Sequence, residues 1–159
     1  MSYLQNTLLP QVPGIQGVFR NRSELPPQEK TPGIILLDGT EDRKTSVEGR
    51  QFNANPAGVF TLRPQIILAL TPRTDPNNTT LPDGTVNPVG TELSSFRVAI
   101  INVMTNDDTL VALLGDNGSI VYEGFDSDMQ NGSTIGSLGA VMQLKFAISY
   151  VLNPLELLT

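Results

Sequence analysis

Hydrophobic and polar positions alternate most regularly near the end of the chain. Met142, Leu144, Phe146, Ile148 and Tyr150 fall on one side, and Val141, Gln143, Lys145, Ala147, Ser149 and Val151 on the other. Period two with aromatic and β-branched residues predicts a strand from Leu138 to Leu152 with one strongly apolar face. At roughly 3.3 Å per residue, a fifteen-residue strand spans about 50 Å, against a usual strand of about 5–6 residues. Such a strand runs through the middle of a sheet or reaches past its own domain to a neighbour. A partner for its apolar face lies upstream, in the run Glu92 to Met104. There Leu93, Phe96, Ile100, Val103 and Met104 form one stripe at helical period.

The rest of the chain reads as shorter elements. Ser2 to Leu9 predicts one or two helical turns with Leu4, Leu8 and Leu9 on one side, stopped by Pro10 and Pro13. Ile15 to Arg20 predicts a short strand, and Asn21 to Pro32 a polar connection. Ile34 to Leu37 is a compact apolar run between Pro32-Gly33 and Asp38-Gly39, which predicts a buried strand bounded by turns. Thr40 to Pro56 is charged and polar. Val59 to Thr71 alternates except at Pro64, which predicts a strand with a bulge or an edge position there. The segment 72–90 holds Pro72, Pro76, Pro82 and Pro88 and predicts a long exposed loop, mobile in the free protein.

Thr91 is the expected N-cap of the long helix. Asn106-Asp107-Asp108 breaks that helix and caps a second one, Thr109 to Leu114, stopped by Gly115. Ser119 to Phe125 predicts a strand with Ile120 and Tyr122 on one face and Val121 and Glu123 on the other. Asp126 to Ser137 predicts a loop before the final strand, and Asn153-Pro154 ends that strand. The expected fold class is α+β: one mixed or antiparallel sheet of about four to five strands, helices packed on one face, and long loops. A length of 159 residues predicts a single domain, with an N-terminal arm at 1–14 and a tail at 153–159.

Charge adds an asymmetry to this picture. Up to Ile100 there are nine basic and nine acidic residues. From Ile101 onward Lys145 is the only base against seven acids, so the net charge of −6 belongs to the last part of the chain. An acidic half repels phosphate, and the basic set Arg20, Arg22, Arg43, Lys44 and Arg50 is interleaved with acids. No direct sequence-specific nucleic-acid binding is expected. No run approaches 18 apolar residues, so no membrane partner is expected, and the first residues lack the pattern of a secretory signal.

Candidate chemistry is sparse. The chain has no cysteine and no histidine, which removes disulfides, thiolate ligands, the commonest general base and the commonest metal ligand. A serine/lysine dyad around Lys145 would sit on the polar face of a strand, and there is no G-x-S-x-G elbow or Walker A motif. The stretch Asp126 to Gly132 has an EF-hand flavour, but its glycine is one position late and Ser137 stands where a bidentate glutamate belongs. Asp107-Asp108 and Glu41-Asp42 read as helix capping and solvated acids. Accordingly no catalytic residue, no cofactor-binding residue and no metal ligand is expected. A non-enzymatic protein with long loops works by contact.

Several runs resemble the gpU-like tail terminator (tail-completion) proteins of long-tailed bacteriophages. They are Val18-Phe19-Arg20-Asn21-Arg22; Thr31 to Gly39 with Glu41-Asp42 behind it; Phe60 to Leu70; Asp108 to Gly115; and Met142 to Tyr150. The likeness covers about Val12 to Leu152 and rests on order and pattern. It implies a virion structural protein of the tail or neck, present in the host cytoplasm during assembly. Such a subunit forms a homo-oligomeric ring, typically hexameric, that caps the tail tube, halts its polymerisation and meets the head-side connector. The implied partners are thus the tail tube protein and a head-completion or connector protein. The alternatives are a head–tail connector subunit (stopper or adaptor), a tail-tube-like subunit, an unrelated binding module, or an enzyme. A ring needs two different complementary patches on each subunit. The expected contact residues are Arg43, Lys44 and Arg50 on one patch and the acidic half, with Asp126 and Asp128, on the other. Leu155, Leu157 and Leu158 of the tail pack on the chain's own body or on a neighbour.

Overall fold

A computed structural model describes residues 1–43, 46–47, 50–51, 58–70, 89–115, 118–129 and 140–152. Its strands are β1 (Gly17–Arg20), β2 (Gly33–Arg43), β3 (Ser46–Val47), β4 (Arg50–Gln51), β5 (Gly58–Ala69), β6 (Ser119–Met129) and β7 (Ala140–Leu152). The helices are α1 (Val89–Thr105) and α2 (Asp108–Leu114). Five strands make one sheet in the order β1-β2-β5-β7-β6, while β3 and β4 pair only with each other as a separate hairpin. β1 runs parallel to β2, and every other neighbouring pair is antiparallel. The sheet is therefore mixed, and the expected α+β class with helices on one face holds.

The thirteen-residue β7 lies between β5 and β6, as so long an alternating strand suggests. Its apolar side supplies Met142, Leu144, Phe146 and Ile148, joined by Ile66 and Leu68 of β5 and Ile34 and Leu36 of β2. Leu93, Ile100 and Met104 of the helical stripe close over them, with Leu110 of α2. Each such large side chain, fully removed from water, stabilises the fold by roughly 1.5–3 kcal/mol before entropy is counted.

The N-terminal turns complete this layer. Leu4, Leu8, Leu9 and Val12 are all at most 2% exposed. The chain forms a π-helical turn at Leu4–Leu8 and then a 3-10 turn at Leu9–Gln11. The expected stop at Pro10 thus falls one turn late. Proline stands at the start of the new turn, where its missing N–H has no helical partner to lose.

Three boundaries differ most from the sequence expectation. β2 continues through Asp38-Gly39 to Arg43, because that pair forms a bulge instead of a turn. Leu37 pairs with Gln65 and Thr40 with Arg63, so Asp38 and Gly39 stand opposite Pro64. Gly39 has φ +71°, and a Cβ there would lie 1.8 Å from the Arg63 carbonyl oxygen, so a glycine is required. Pro64 accordingly sits at a bulge in the interior of the sheet, not at an edge. α1 begins at Val89, which places Thr91 inside the first turn and not at the N-cap; its carbonyl accepts from Ser95 Oγ at 3.0 Å. β6 runs on to Met129, so Asp126 and Asp128 are strand residues opposite Gln143 and Val141. The segment 72–88, residues 130–137 of the expected loop Asp126 to Ser137 and the tail 153–159 lie outside the described residues.

Candidate functional site

The end of the sheet where β2, β5 and β7 pass beyond the bulge carries a half-open cleft of about 430 Å³. Its walls are Leu4, Leu62, Leu110, Leu113, Leu114 and Ile148, with Met1 beside them. Its polar groups are Asp38, Glu41, Tyr3 and Tyr150. The bulge creates this arrangement. By inserting one extra residue it brings both Asp38 and Glu41 to the side of β2 that faces the cleft, with Glu41 opposite Leu62.

Each polar group has its partner. The Tyr3 hydroxyl donates to Asp107 Oδ1 at 2.9 Å, and the same oxygen accepts the Leu110 amide at 2.6 Å as the N-cap of α2. One carboxylate therefore ties the N-terminal turns to the start of the second helix. Burial, followed by the bond to Asp107, pushes the Tyr3 phenol above its ordinary range. Asp38 receives a two-pronged contact from Arg20, Nε at 2.8 Å and Nη2 at 2.7 Å, and a third bond from Asn21 Nδ2 at 3.0 Å. The Arg20 hydrogen bond holds the Asp38 carboxyl below its usual value. Asn21, at φ +50°, also accepts the Asp38 amide, which locks β1 to β2. The Tyr150 hydroxyl donates to Glu41 Oε2, and its ring stacks on Phe60 with centroids 6.0 Å apart. Burial first, then that bond and the Glu41 charge, push the Tyr150 phenol up to about 12.

Beside the cleft, α2 shows an apolar outer surface. Five of its seven residues are apolar, yet Leu110 alone is buried; Val111 is 50% and Leu113 64% exposed. The sheet face away from the helices is different in kind. Arg63 pairs with Glu123 and lies 3.9 Å from Asp42, Lys145 Nζ is 2.5 Å from Asp126, and Gln143 Nε2 donates to Gln65 Oε1 at 2.6 Å. Thr61 and Ser149 share a hydroxyl hydrogen bond of 3.1 Å between β5 and β7. These are cross-strand pairs satisfied within the chain.

The structure separates the residues expected to make contacts. Asp126 lies on β6 beside Lys145, which offsets its charge. Asp128 lies opposite Val141 at the far end of β6, one residue before Met129 meets Ala140. Arg43 ends β2, and Arg50 opens β4 in the separate hairpin. Lys44, Leu155, Leu157 and Leu158 are outside the described residues. Sequence reasoning passed over Tyr3, Glu41, Leu113 and Tyr150, which the fold brings to one cleft. The available signal was α2 itself, too apolar for a surface helix of its length.

Among the described residues no group of three or more acidic, histidine or cysteine side chains could hold a metal ion. No described helix is long and apolar enough to cross a membrane. No protein-family model matches the chain, and no curated protein matches it.

Proposed function

We propose that the protein is a tail terminator subunit of a long-tailed phage. It assembles into a ring that caps the tail tube, stops its growth and presents a surface to the head-side connector. The reading treats the chain as a structural protein without catalytic work. The observation that carries it is the presence of two dissimilar surfaces on one subunit. One is the separate β3–β4 hairpin in a basic stretch of the chain; the other is a cleft with the apolar flank of α2 beside it. A head-to-tail ring needs two such unlike patches on every copy, whereas a two-fold dimer needs only one. The order and pattern of the runs described above supply the tail setting.

The test is native mass by light scattering, with negative-stain images of the same peak. A closed ring of about six subunits is the expected result, since cyclic closure is the usual fate of a heterologous contact. Rings added to polymerising tubes should then give tubes of fixed length. Open filaments would point to a tube-like subunit, and a concentration-independent monomer would overturn self-assembly in solution. If opposite charges meet across the contact, raising salt lowers the ring fraction.

A further inference from the structure

We propose that the β3–β4 hairpin of one copy seats in the α2 cleft of the next copy. This rests on the self-assembly in the reading above and names its contact.

The hairpin is the element with the least support of its own. It is a separate two-stranded sheet, Ser46 opposite Gln51 and Val47 opposite Arg50. An isolated two-stranded hairpin is marginal in water and gains order by lying on another surface. Its sequence is basic: the stretch from Arg43 to Arg50 contains Arg43, Lys44 and Arg50 against one acid, Glu48.

The cleft has the opposite character. Asp38 and Glu41 line it, Asp107 is bound to its Tyr3, and Asp108 opens the helix that forms its wall. Arg20 offsets Asp38, so the anionic character beside the apolar walls comes from Glu41 and from Asp107 and Asp108 at the start of α2. Leu113, 64% exposed at the lip, is a large apolar side chain placed for a partner to cover. The chain's other apolar segment, Leu155 to Leu158, carries Glu156 and would bring like charge to Glu41. Of these two segments the hairpin is the electrostatic match.

β3 begins three residues beyond Arg43, the end of the same strand whose Glu41 lines the cleft. Hairpin and cleft therefore belong to one end of the subunit. They are different surfaces, so the proposed contact, made in one direction from each copy to the next, is heterologous and can repeat around a ring.

The chain has no cysteine, which makes a clean test possible. Val47→Cys and Leu113→Cys are made as separate proteins, mixed, and treated with a short bismaleimide. The mixture should give about tenfold or more covalent dimer than either variant alone, because the contact holds the thiols at millimolar effective concentration. Leu113→Lys should lower the native mass while leaving the circular dichroism unchanged, since this exposed side chain holds no part of the core. A mixture that yields no more dimer than its components, whether the protein is oligomeric or monomeric, overturns the proposal. The broader reading fails separately: crosslinked rings that leave tube length unregulated would keep this contact and remove the terminator function. Rings that cap tubes without the crosslink would do the reverse.

Discussion

On the helix-covered side of the sheet, Ile34, Leu36, Ile66, Leu68, Leu144 and Phe146 are 0% exposed. One position along the same strands, Gln65, Gln143 and Lys145 are half-buried and Arg63 is exposed. The two faces share a backbone and differ in what holds them. Large side chains removed from water contribute roughly 1.5–3 kcal/mol each. Exposed ion pairs contribute about 0–1 kcal/mol, and cross-strand polar pairs about 0.2–1 kcal/mol. Stability therefore belongs to the helix face. The open face contributes register, since a slip by one residue would bury its charges.

The largest expected effect tests the helix face directly. Phe146→Ala should cost about 3–5 kcal/mol in urea or guanidinium unfolding, as for other large-to-small core changes. A loss below about 1 kcal/mol, the scale of an exposed pair, would break the contrast. Next comes the bulge that carries both faces of β2 past Pro64. Gly39→Ala combines a positive φ with a Cβ 1.8 Å from a carbonyl oxygen. It should cost about 2–4 kcal/mol, read as a fall in Tm.

Asp107→Ala removes the cap of α2 and the acceptor for Tyr3 together. The expected loss is about 1–2 kcal/mol, and Asp107→Asn should recover most of the capping part. Tyr150 sharpens the comparison through pH. Its folded pKa of about 12 stands above the ordinary 10.0, so the folded chain keeps a proton that the unfolded chain has lost. Its contribution to stability is full below pH 10 and declines as pH rises toward 12; in Tyr150→Phe that part of the decline should be absent from the alkaline unfolding curve. The smallest effect belongs to the open face. Lys145→Ala breaks the exposed pair with Asp126 and should change stability by less than about 1 kcal/mol. A cost comparable to that of Phe146→Ala would mean that the open face shares the structural load.

The character of the main elements was legible in the residue order. The period-two run after Val141 is β7, the stripe from Leu93 to Met104 is the buried side of α1, and Asp107 caps α2 through its side chain. These features are local: a hydrophobic period or a capping side chain is written within a few residues of the element it defines. The cleft was not legible, because Tyr3, Glu41, Leu113 and Tyr150 come from four separate stretches of chain.

Glycine shows where local information stops. Asp38-Gly39 reads as a turn, and Gly124, at φ +126°, lies in a strand read as ending at Phe125. In the folded protein both positions are bulges, because a neighbouring strand lies opposite and continues the pairing beyond them. The second bulge sets Gly124 opposite Lys145 and Phe125 opposite Leu144. Simple alternation would group Phe125 with Val121 and Glu123; instead its ring stacks under Arg97 of α1, 4.6 Å from the guanidinium carbon. Residue order alone was enough for the main strands and helices and for the apolar side of most of them, but not for the β3–β4 hairpin or the side taken by Phe125. Only the tertiary structure decided the strand order, the parallel β1, the two bulges and the cleft. A glycine's left-handed conformation serves a turn or a bulge equally well, and the difference lies in whether another strand stands beside it.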